Sequence, residues 1–324
     1  MLLDTGRERA AYAVLGFELA CQRALLDRLD LPPTRLWSVC HALLFEPSRE
    51  AAGIALQSGT LLVQSGAGTA SAFALKPQQL AECSLGRLSS PFRDVRGSVR
   101  FGLFDPNPLS RLEAHPDKQG NSLSLGGRPV EAWLEGLGAA TSIVEDYLPE
   151  LWPEMQLLLR LILPTGSHDE KQLSASYREY IGAVYLTLHP NVFSTVEALV
   201  HEFQHNKLNL VLQQHELLEN ADAPLYRSPI RPDLRPLSGI LLAAHAFVPI
   251  AELYRRLVER RPAASGPVQR LSELVGKNDE ALRTLGQHAR WTPVGARIHE
   301  ELLAWHTQHL SLGLSVVQGV THHA

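Results

Sequence analysis

The sequence contains few cysteines, little net charge and no long uninterrupted apolar run. Its three cysteines, Cys21, Cys40 and Cys83, lie far apart without paired spacing, which excludes a disulfide framework and a cysteine zinc cluster. A formal net charge of −4 at pH 7 gives no general attraction to a phosphate backbone or an anionic membrane, so we expect neither nucleic acid nor a membrane as a partner.

The first residues also lack the features of a secretory signal. Charged side chains occur within the first ten positions and no continuous apolar stretch follows them, so we expect no signal peptide and a cytoplasmic location. No later segment is expected to reach membrane-spanning length. With 324 residues, 45% of them hydrophobic, the chain can bury one large core or two modest ones.

Hydrophobic periodicity predicts an α+β protein that is predominantly helical. Weak alternation from 35 to 90 favours short helices and turns. Strands are predicted at 98–104 and 181–190. Helices are predicted at 5–30, 129–163, 196–220, 237–260, 266–289 and 295–310. We divide the chain into an N-terminal helical or irregular region, 1–95, which could recognise a peptide, and a mainly helical catalytic region, 96–324.

The segment "VEALVHEFQHNKLNL" contains a His-Glu-x-x-His box within a predicted helix. Ser194 and Glu197 form a capping box at its start, and the strand 181–190 precedes it. His201 and His205 are four residues apart, so their imidazoles lie on one helix face at a separation that lets them share a metal ion.

Two histidines are too few to hold a metal, so a third ligand is required. The metzincin pattern needs Gly and His at positions that hold Leu208 and Val211, which excludes that class. His245 on the following helix is the better candidate, with Glu252 as the alternative. Pro249 cannot donate to the carbonyl of His245, so a kink or a loosened turn is expected at that ligand.

The remaining histidines are expected at the surface rather than at the metal. His215 lies ten helical residues, about 15 Å, beyond His205 along the axis. His299, His306, His309, His322 and His323 are likewise expected to be surface residues.

A proline-stiffened stretch, "YRSPIRPDLRPL", spaces Arg227, Arg231 and Arg235 at intervals of four. A rigidly held guanidinium can clamp the carboxylate of a small acid bound beside a metal. The alternative is a set of surface arginines that pair with Asp222 or Asp233. The residues themselves leave both interpretations open.

The runs "YREYIGAVYLTLHPNVFSTVEALVHEFQHNKLNLVLQ" and "PLYRSPIRPDLRPLSGILLAAHAFVPIAELYRR", with "FGLFDPNPLSRLEAHPDKQGN", resemble the HExxH-motif peptide-modification proteins, described as α-ketoglutarate-dependent HExxH-type peptide β-hydroxylases. The resemblance implies Fe(II), α-ketoglutarate as co-substrate, and hydroxylation of a side-chain β-carbon in a ribosomally made precursor peptide. Carried over, it implies His201, His205 and His245 as metal ligands. It also implies a co-substrate clamp among the three arginines of the proline-stiffened stretch.

Three functions remain open, and Glu202 discriminates between two of them. In an Fe(II) oxygenase Glu202 would orient a ligand by hydrogen bonding, whereas in a zinc metallopeptidase it would be the general base that activates water. The strand 181–190 favours the peptidase as well, since a strand can bind an extended peptide. The third possibility is a non-catalytic peptide-binding protein whose histidine box is vestigial.

Overall fold

The computed structural model describes residues 44–47, 51–57, 60–65, 67, 70–74, 81–83, 86–89, 92–103, 105, 107, 123–167, 171–178, 180–261 and 265–321. The chain divides into two compact units, Met1–Leu123 with Arg160–Pro164 and Ser124–Leu159 with Thr165–Ala324. The predicted helix at 5–30 and the whole "EAHPDKQGN" segment, 113–121, lie outside the described residues. The roles assigned to regions 1–95 and 96–324 stay predictions.

Short antiparallel strands form much of the described part of the first unit. They are β1 (Leu44–Pro47), β2 (Ala51–Gln57), β3 (Thr60–Ser65), β4 (Ala70–Ala74), β5 (Ala81–Cys83) and β6 (Gly86–Ser89), in sheets of order β1-β6-β5 and β2-β3-β4. The short helices predicted between 35 and 90 are therefore wrong for these residues. Segments such as "AAGIALQ" in β2 contain too few large apolar side chains to give a clear two-residue period.

The predicted strand at 98–104 is confirmed. β7 (Phe92–Arg96) and β8 (Val99–Gly102) form an antiparallel hairpin, and β8 pairs in parallel with the start of β9 (Leu161–Ser167). Val99 and Phe101 are fully buried on one face of β8.

The second unit begins with α1 (Val130–Tyr147) and α2 (Leu151–Leu158). The helical prediction for 129–163 is correct up to residue 158, but the apolar tail belongs to β9. Its residues Leu161, Ile162 and Leu163 are all fully buried. A short continuous apolar run fits a buried strand as well as a buried helix, which explains the error.

The histidine box lies on α3 (Val192–Leu212), after β10 (Ser174–Ala175) and β11 (Ala183–Leu188). β11 confirms the strand predicted at 181–190, and it pairs in antiparallel register with β10. The predicted capping box is wrong, because the side chain of Asn191 caps the helix by accepting from the Phe193 N–H at 3.0 Å. The helix also ends at Leu212, eight residues before the predicted end at 220.

A buried asparagine fixes α3 to the strand beneath it. Asn206 Oδ1 accepts from the Gly182 N–H at 2.7 Å, and its Nδ2 donates to the carbonyls of Ala183 at 3.2 Å and Glu202 at 3.0 Å. The bonds to Gly182 and Ala183 set the position of the helix relative to β11, and the bond to Glu202 lies within the helix. They also constrain the turn of helix that carries Glu202 and His205.

Three long helices complete the unit: α4 (Leu237–Arg260), α5 (Ser265–His288) and α6 (Pro293–Thr321). The helices predicted at 237–260 and 266–289 are confirmed, and the last one is longer than predicted. The fold is thus mixed α+β and predominantly helical, as predicted. By length and composition α4 could cross a membrane, contrary to our expectation, but 72% of its apolar window is buried inside the protein.

Candidate metal centre

The structure brings together three side chains of the histidine box. The rings of His201 and His205 lie on one face of α3 with centroids 4.3 Å apart and planes inclined at 60°. One potential ligand atom from each of His201, Glu202 and His205 lies within 4.8 Å of the others. Both histidines are half-buried and Glu202 is 4% exposed. These three residues could hold a metal ion.

Glu202 is anchored by two serines from the segment that contains β10. Ser174 Oγ donates to Glu202 Oε1 at 2.7 Å and Ser176 Oγ donates to Oε2 at 2.6 Å, while His205 Nδ1 lies 3.5 Å from Oε2. Burial alone would raise the pKa of this carboxyl. The interactions with both histidines and the bond from Ser176 outweigh it and hold the pKa well below its usual range. Glu202 is therefore an ionised, immobilised carboxylate.

A cavity of about 450 Å³ opens beside His201. Ser174 of β10, Glu197 of α3, Phe247 of α4 and Arg270 of α5 are among the residues that line it. The Phe247 ring lies 4.9 Å from the His201 ring at 62°, an edge contact that restricts the imidazole. The cavity thus offers apolar and charged groups next to a candidate metal ligand.

Arg270 also lines this cavity, although no motif in the sequence marks it. Its Nε and Nη2 donate to Glu197 Oε1 and Oε2 at 3.0 and 2.6 Å, and its Nη1 donates to Glu273 at 2.8 Å. Tyr254 OH also donates to Glu197, at 2.6 Å, and burial together with that carboxylate raises the pKa of Tyr254. The pairing with Glu197 raises the pKa of Arg270, which stays a fixed positive charge.

The three arginines predicted as a clamp do not line this cavity. Arg227 is 89% exposed, and its Nε lies 4.0 Å from Glu280. Glu280 is ten residues beyond Arg270 on α5, which is about 15 Å along the helix axis. Arg235 pairs with Asp233 at 2.8 Å, as the alternative interpretation expected, and Arg231 is exposed.

His245 also lies outside the group formed by His201, Glu202 and His205, within the part of the chain that the structure describes. It is 7% exposed on α4, and its Nδ1 has no hydrogen-bond partner. Burial, with the positive charges of Lys207 and His205, lowers the pKa of His245 to about 3, although a bond to the backbone of Gln204 opposes the shift. It lines a different cavity, with no residue in common with the first.

Glu252, the alternative third ligand, is part of an ion cluster. Its carboxylate accepts from Arg255 Nε at 2.7 Å and also from Arg256, and His309 Nε2 lies 3.0 Å from Oε2. Burial opposes its ionisation, but the bonds from Arg255, His309 and Arg256 hold the pKa of Glu252 well below its usual range. Among the described residues this carboxylate does not belong to the metal group.

The surface location expected for the C-terminal histidines is wrong for two of them. His309 is fully buried and His306 is 3% exposed, with its Nε2 3.5 Å from Asp279. His309 faces Glu252 on α4 and His306 faces Asp279 on α5. The sequence pattern of α6 does not reveal these partners, because they lie on other helices. His299 stacks on Trp291 at 4.5 Å, and His215 is exposed, as expected.

No family model matches the chain, and no curated protein matches it either. The resemblance to peptide β-hydroxylases therefore depends on the quoted motifs alone. Any assignment of function depends on the residues of the site.

Proposed function

We propose that the protein is an Fe(II)- and α-ketoglutarate-dependent oxygenase of the cytoplasm, which hydroxylates a side-chain β-carbon of a ribosomally made precursor peptide. The observation that carries this proposal is the grouping of two imidazoles, His201 and His205, with the carboxylate of Glu202. Two histidines and one carboxylate are the donor set typical of non-haem Fe(II) oxygenases, in which open positions remain for substrates.

The residues of the group fit an iron(II) ion. His201 and His205 would supply nitrogen ligands and Glu202 an oxygen ligand, in place of the third ligand that the resemblance assigned to His245. Carboxylates that bind metals are usually hydrogen-bonded themselves, as Glu202 is to Ser174 and Ser176. With α-ketoglutarate and dioxygen, bound iron would convert a C–H bond to an alcohol, while the co-substrate becomes succinate and carbon dioxide.

Arg270 is the residue we assign to the distal carboxylate of α-ketoglutarate. An arginine has five N–H donors, and the three bonds to Glu197 and Glu273 leave two of them for a ligand. Its guanidinium lines the same cavity as His201 and is held in place by the paired glutamates. A fixed guanidinium suits a carboxylate, which it can bind through two parallel hydrogen bonds.

An extended peptide fits the strand that borders the cavity. β10 pairs with β11 and, in the described strands, with no other, and its Ser174 lines the cavity beside His201. A peptide can add to such an edge through main-chain hydrogen bonds, which bind it without regard to side-chain identity. A residue of that peptide would then lie next to the metal ligands.

The environment of Glu202 argues against a zinc peptidase. A zinc peptidase of this type needs Glu202 free to act as the general base, whereas the proposed ligand role commits its carboxylate to the metal. Ser174 and Ser176 also argue against a vestigial box, since they keep the carboxylate ordered beside the histidines.

Succinate formation tests the proposal. Protein reconstituted with iron(II) without oxygen is mixed with α-ketoglutarate and then exposed to air, with His201→Ala as the inactive variant and His215→Ala as the matched exposed control. We expect succinate from wild type and His215→Ala but not from His201→Ala. Zinc-dependent cleavage of peptides without any succinate would overturn the oxygenase in favour of the peptidase.

A further inference from the structure

A second cavity, of about 210 Å³, lies between α2, α3, α4 and α6. We call it the His245 cavity. An apolar cavity of about 150 Å³ is enough to hold benzene, so this one can hold a ring of that size. None of the residues of the candidate metal group lines it. Its apolar walls come from Leu151, Val211, Ile298, Leu302 and Trp305.

The lining of this cavity includes a buried polar side chain with an unpaired atom. His245 is 7% exposed, and its Nδ1 has no hydrogen-bond partner. Burial, with the positive charges of Lys207 and His205, lowers the pKa of His245 to about 3, so the imidazole is neutral at pH 7. A neutral imidazole has one N–H and one lone pair, and either of them is costly to bury without a partner.

The surroundings of the cavity disfavour a charged ligand of either sign. Burial and the ammonium group of Lys207, which also lines the cavity, oppose a positive charge at the His245 ring. Lys207 is itself paired with Glu154 at 2.7 Å, so its charge is not open to an anion. The carboxylates of Glu150 and Glu301 are exposed at the lining and repel an anion that approaches from solvent. The cavity therefore favours a neutral ligand.

A hydroxyl is the polar group that suits His245 best. It can donate a hydrogen bond to Nδ1 or accept one from it, so it pairs with either tautomer of the neutral ring. An ammonium group only donates and a carboxylate only accepts, and both carry the charge that the surroundings oppose.

We propose that the His245 cavity binds a small neutral hydroxyl compound of about the size of phenol. The hydroxyl pairs with His245 Nδ1, and the hydrocarbon part packs on the apolar walls, where Trp305 offers an aromatic surface. The site does not depend on the proposed oxygenase reaction. His245 acts in it as a hydrogen-bonding group and not as a metal ligand.

Calorimetric titration with phenol tests the proposal. Toluene is the matched probe, because a methyl group replaces the hydroxyl in a molecule of the same shape, and benzylammonium and benzoate are the charged probes. His245→Phe keeps a ring of similar size without polar atoms, whereas His245→Asn keeps a polar atom at the position of Nδ1. His215→Phe is the control at an exposed position. Circular dichroism and iron content are measured on each protein.

We expect saturable binding of phenol to wild type and to His215→Phe, and weaker binding of both charged probes. The ratio of phenol affinity to toluene affinity should fall by about tenfold or more in His245→Phe, since the partner of the hydroxyl is lost. In His245→Asn the ratio should fall less.

Three results would overturn the site: no saturable binding of phenol to wild type, a charged probe that binds as tightly as phenol, or an unchanged ratio in folded His245→Phe. An equal fall of the ratio in His245→Asn and His245→Phe would also contradict it. So would loss of iron from folded His245→Phe, because His245 would then belong to the metal centre.

Discussion

Glu202 Oε2 lies 3.5 Å from His205 Nδ1, and hydroxyls from Ser174 and Ser176 hold both oxygens of that carboxylate. The serines belong to a segment 26 to 28 residues before Glu202, so contact between two parts of the chain sets the carboxylate beside the imidazole. Neither serine belongs to the histidine box. All three candidate metal donors belong to the motif, but the fold sets the position of the carboxylate.

Replacing Glu202 with Gln should weaken metal binding. The amide has no negative charge for the ion and cannot accept from both serines, so we expect iron(II) affinity to fall by at least the ~10–100-fold that loss of a group bonded to a ligand costs. Competition with a chelator of known affinity measures the change. Glu216→Gln, at an exposed position, is the control and should bind as wild type does. Unchanged affinity in a folded Glu202→Gln protein would remove this residue from the ligand set.

Arg270→Gln should raise the KM for α-ketoglutarate while iron content stays constant. The expected increase is about tenfold or more, because a charge-assisted hydrogen bond is lost from a partly buried site. Arg270→Lys keeps the charge that neutralises Glu197 and separates this effect from a loss of folding.

Arg231→Ala and Arg235→Ala are the controls for that experiment, since both residues lie outside the cavity of His201. Their KM for α-ketoglutarate should match wild type. If the KM for α-ketoglutarate rose in either control and stayed unchanged in Arg270→Gln, the co-substrate would bind to the arginines of the proline-stiffened stretch and not to Arg270.

Glu252→Gln should destabilise the folded protein at neutral pH. Without the negative charge of Glu252, the Nε groups of Arg255 and Arg256 lose their ion-pair partner. Breaking a buried ion pair of this kind costs about 3–5 kcal/mol. Urea denaturation at pH 7 measures the loss. Glu300→Gln, an exposed substitution on α6, should stay close to wild type.

The same carboxylate predicts how stability depends on pH. The folded-state pKa of Glu252 is lower than its usual value of 4.5, so its contribution is complete above that pH and is lost as the pH falls towards the folded-state value. Wild type should therefore lose more stability than Glu252→Gln between pH 6 and about pH 3. If the free energy of unfolding fell equally with pH in both proteins, the pKa of Glu252 would be the same in the folded and unfolded states, which would contradict this prediction.

Gly295→Ala should be strongly destabilising. A Cβ at this position would lie 2.0 Å from the Leu217 carbonyl oxygen, so the start of α6 would have to move away from that backbone. Gly286→Ala is the matched control, because its Cβ would meet nothing within 4 Å and alanine favours a helix by about 0.5–1 kcal/mol. Melting temperatures should fall for the first variant and rise slightly for the second.

The parts of the fold with strong periodic patterns were predictable. α4 was predicted within its observed bounds because a proline precedes it and a long apolar stripe follows. β1 to β6 were not, because their small residues give no clear alternation. The start of α3 differs from the prediction because the Asn191 side chain, three residues before Ser194, accepts from the Phe193 N–H and caps the helix.

Spacing alone placed His201 and His205 on one face of a helix, and the structure agrees. The surroundings of Glu202 and the presence of Arg270 in the cavity could not be predicted. A single serine or arginine forms no recognisable sequence motif. Its role depends on which element, distant in the sequence, packs against it. The buried positions of His306 and His309 have the same origin, since their partners lie on other helices.

Metal content tests the central claim most directly. Wild type, His201→Ala, His205→Ala and His215→Ala are loaded with iron(II) without oxygen, freed of excess metal and analysed for iron per chain by mass spectrometry. We predict stoichiometric iron in wild type and His215→Ala, and little in the other two. Wild-type protein without iron, or full iron content in folded His201→Ala and His205→Ala, would contradict the metal centre.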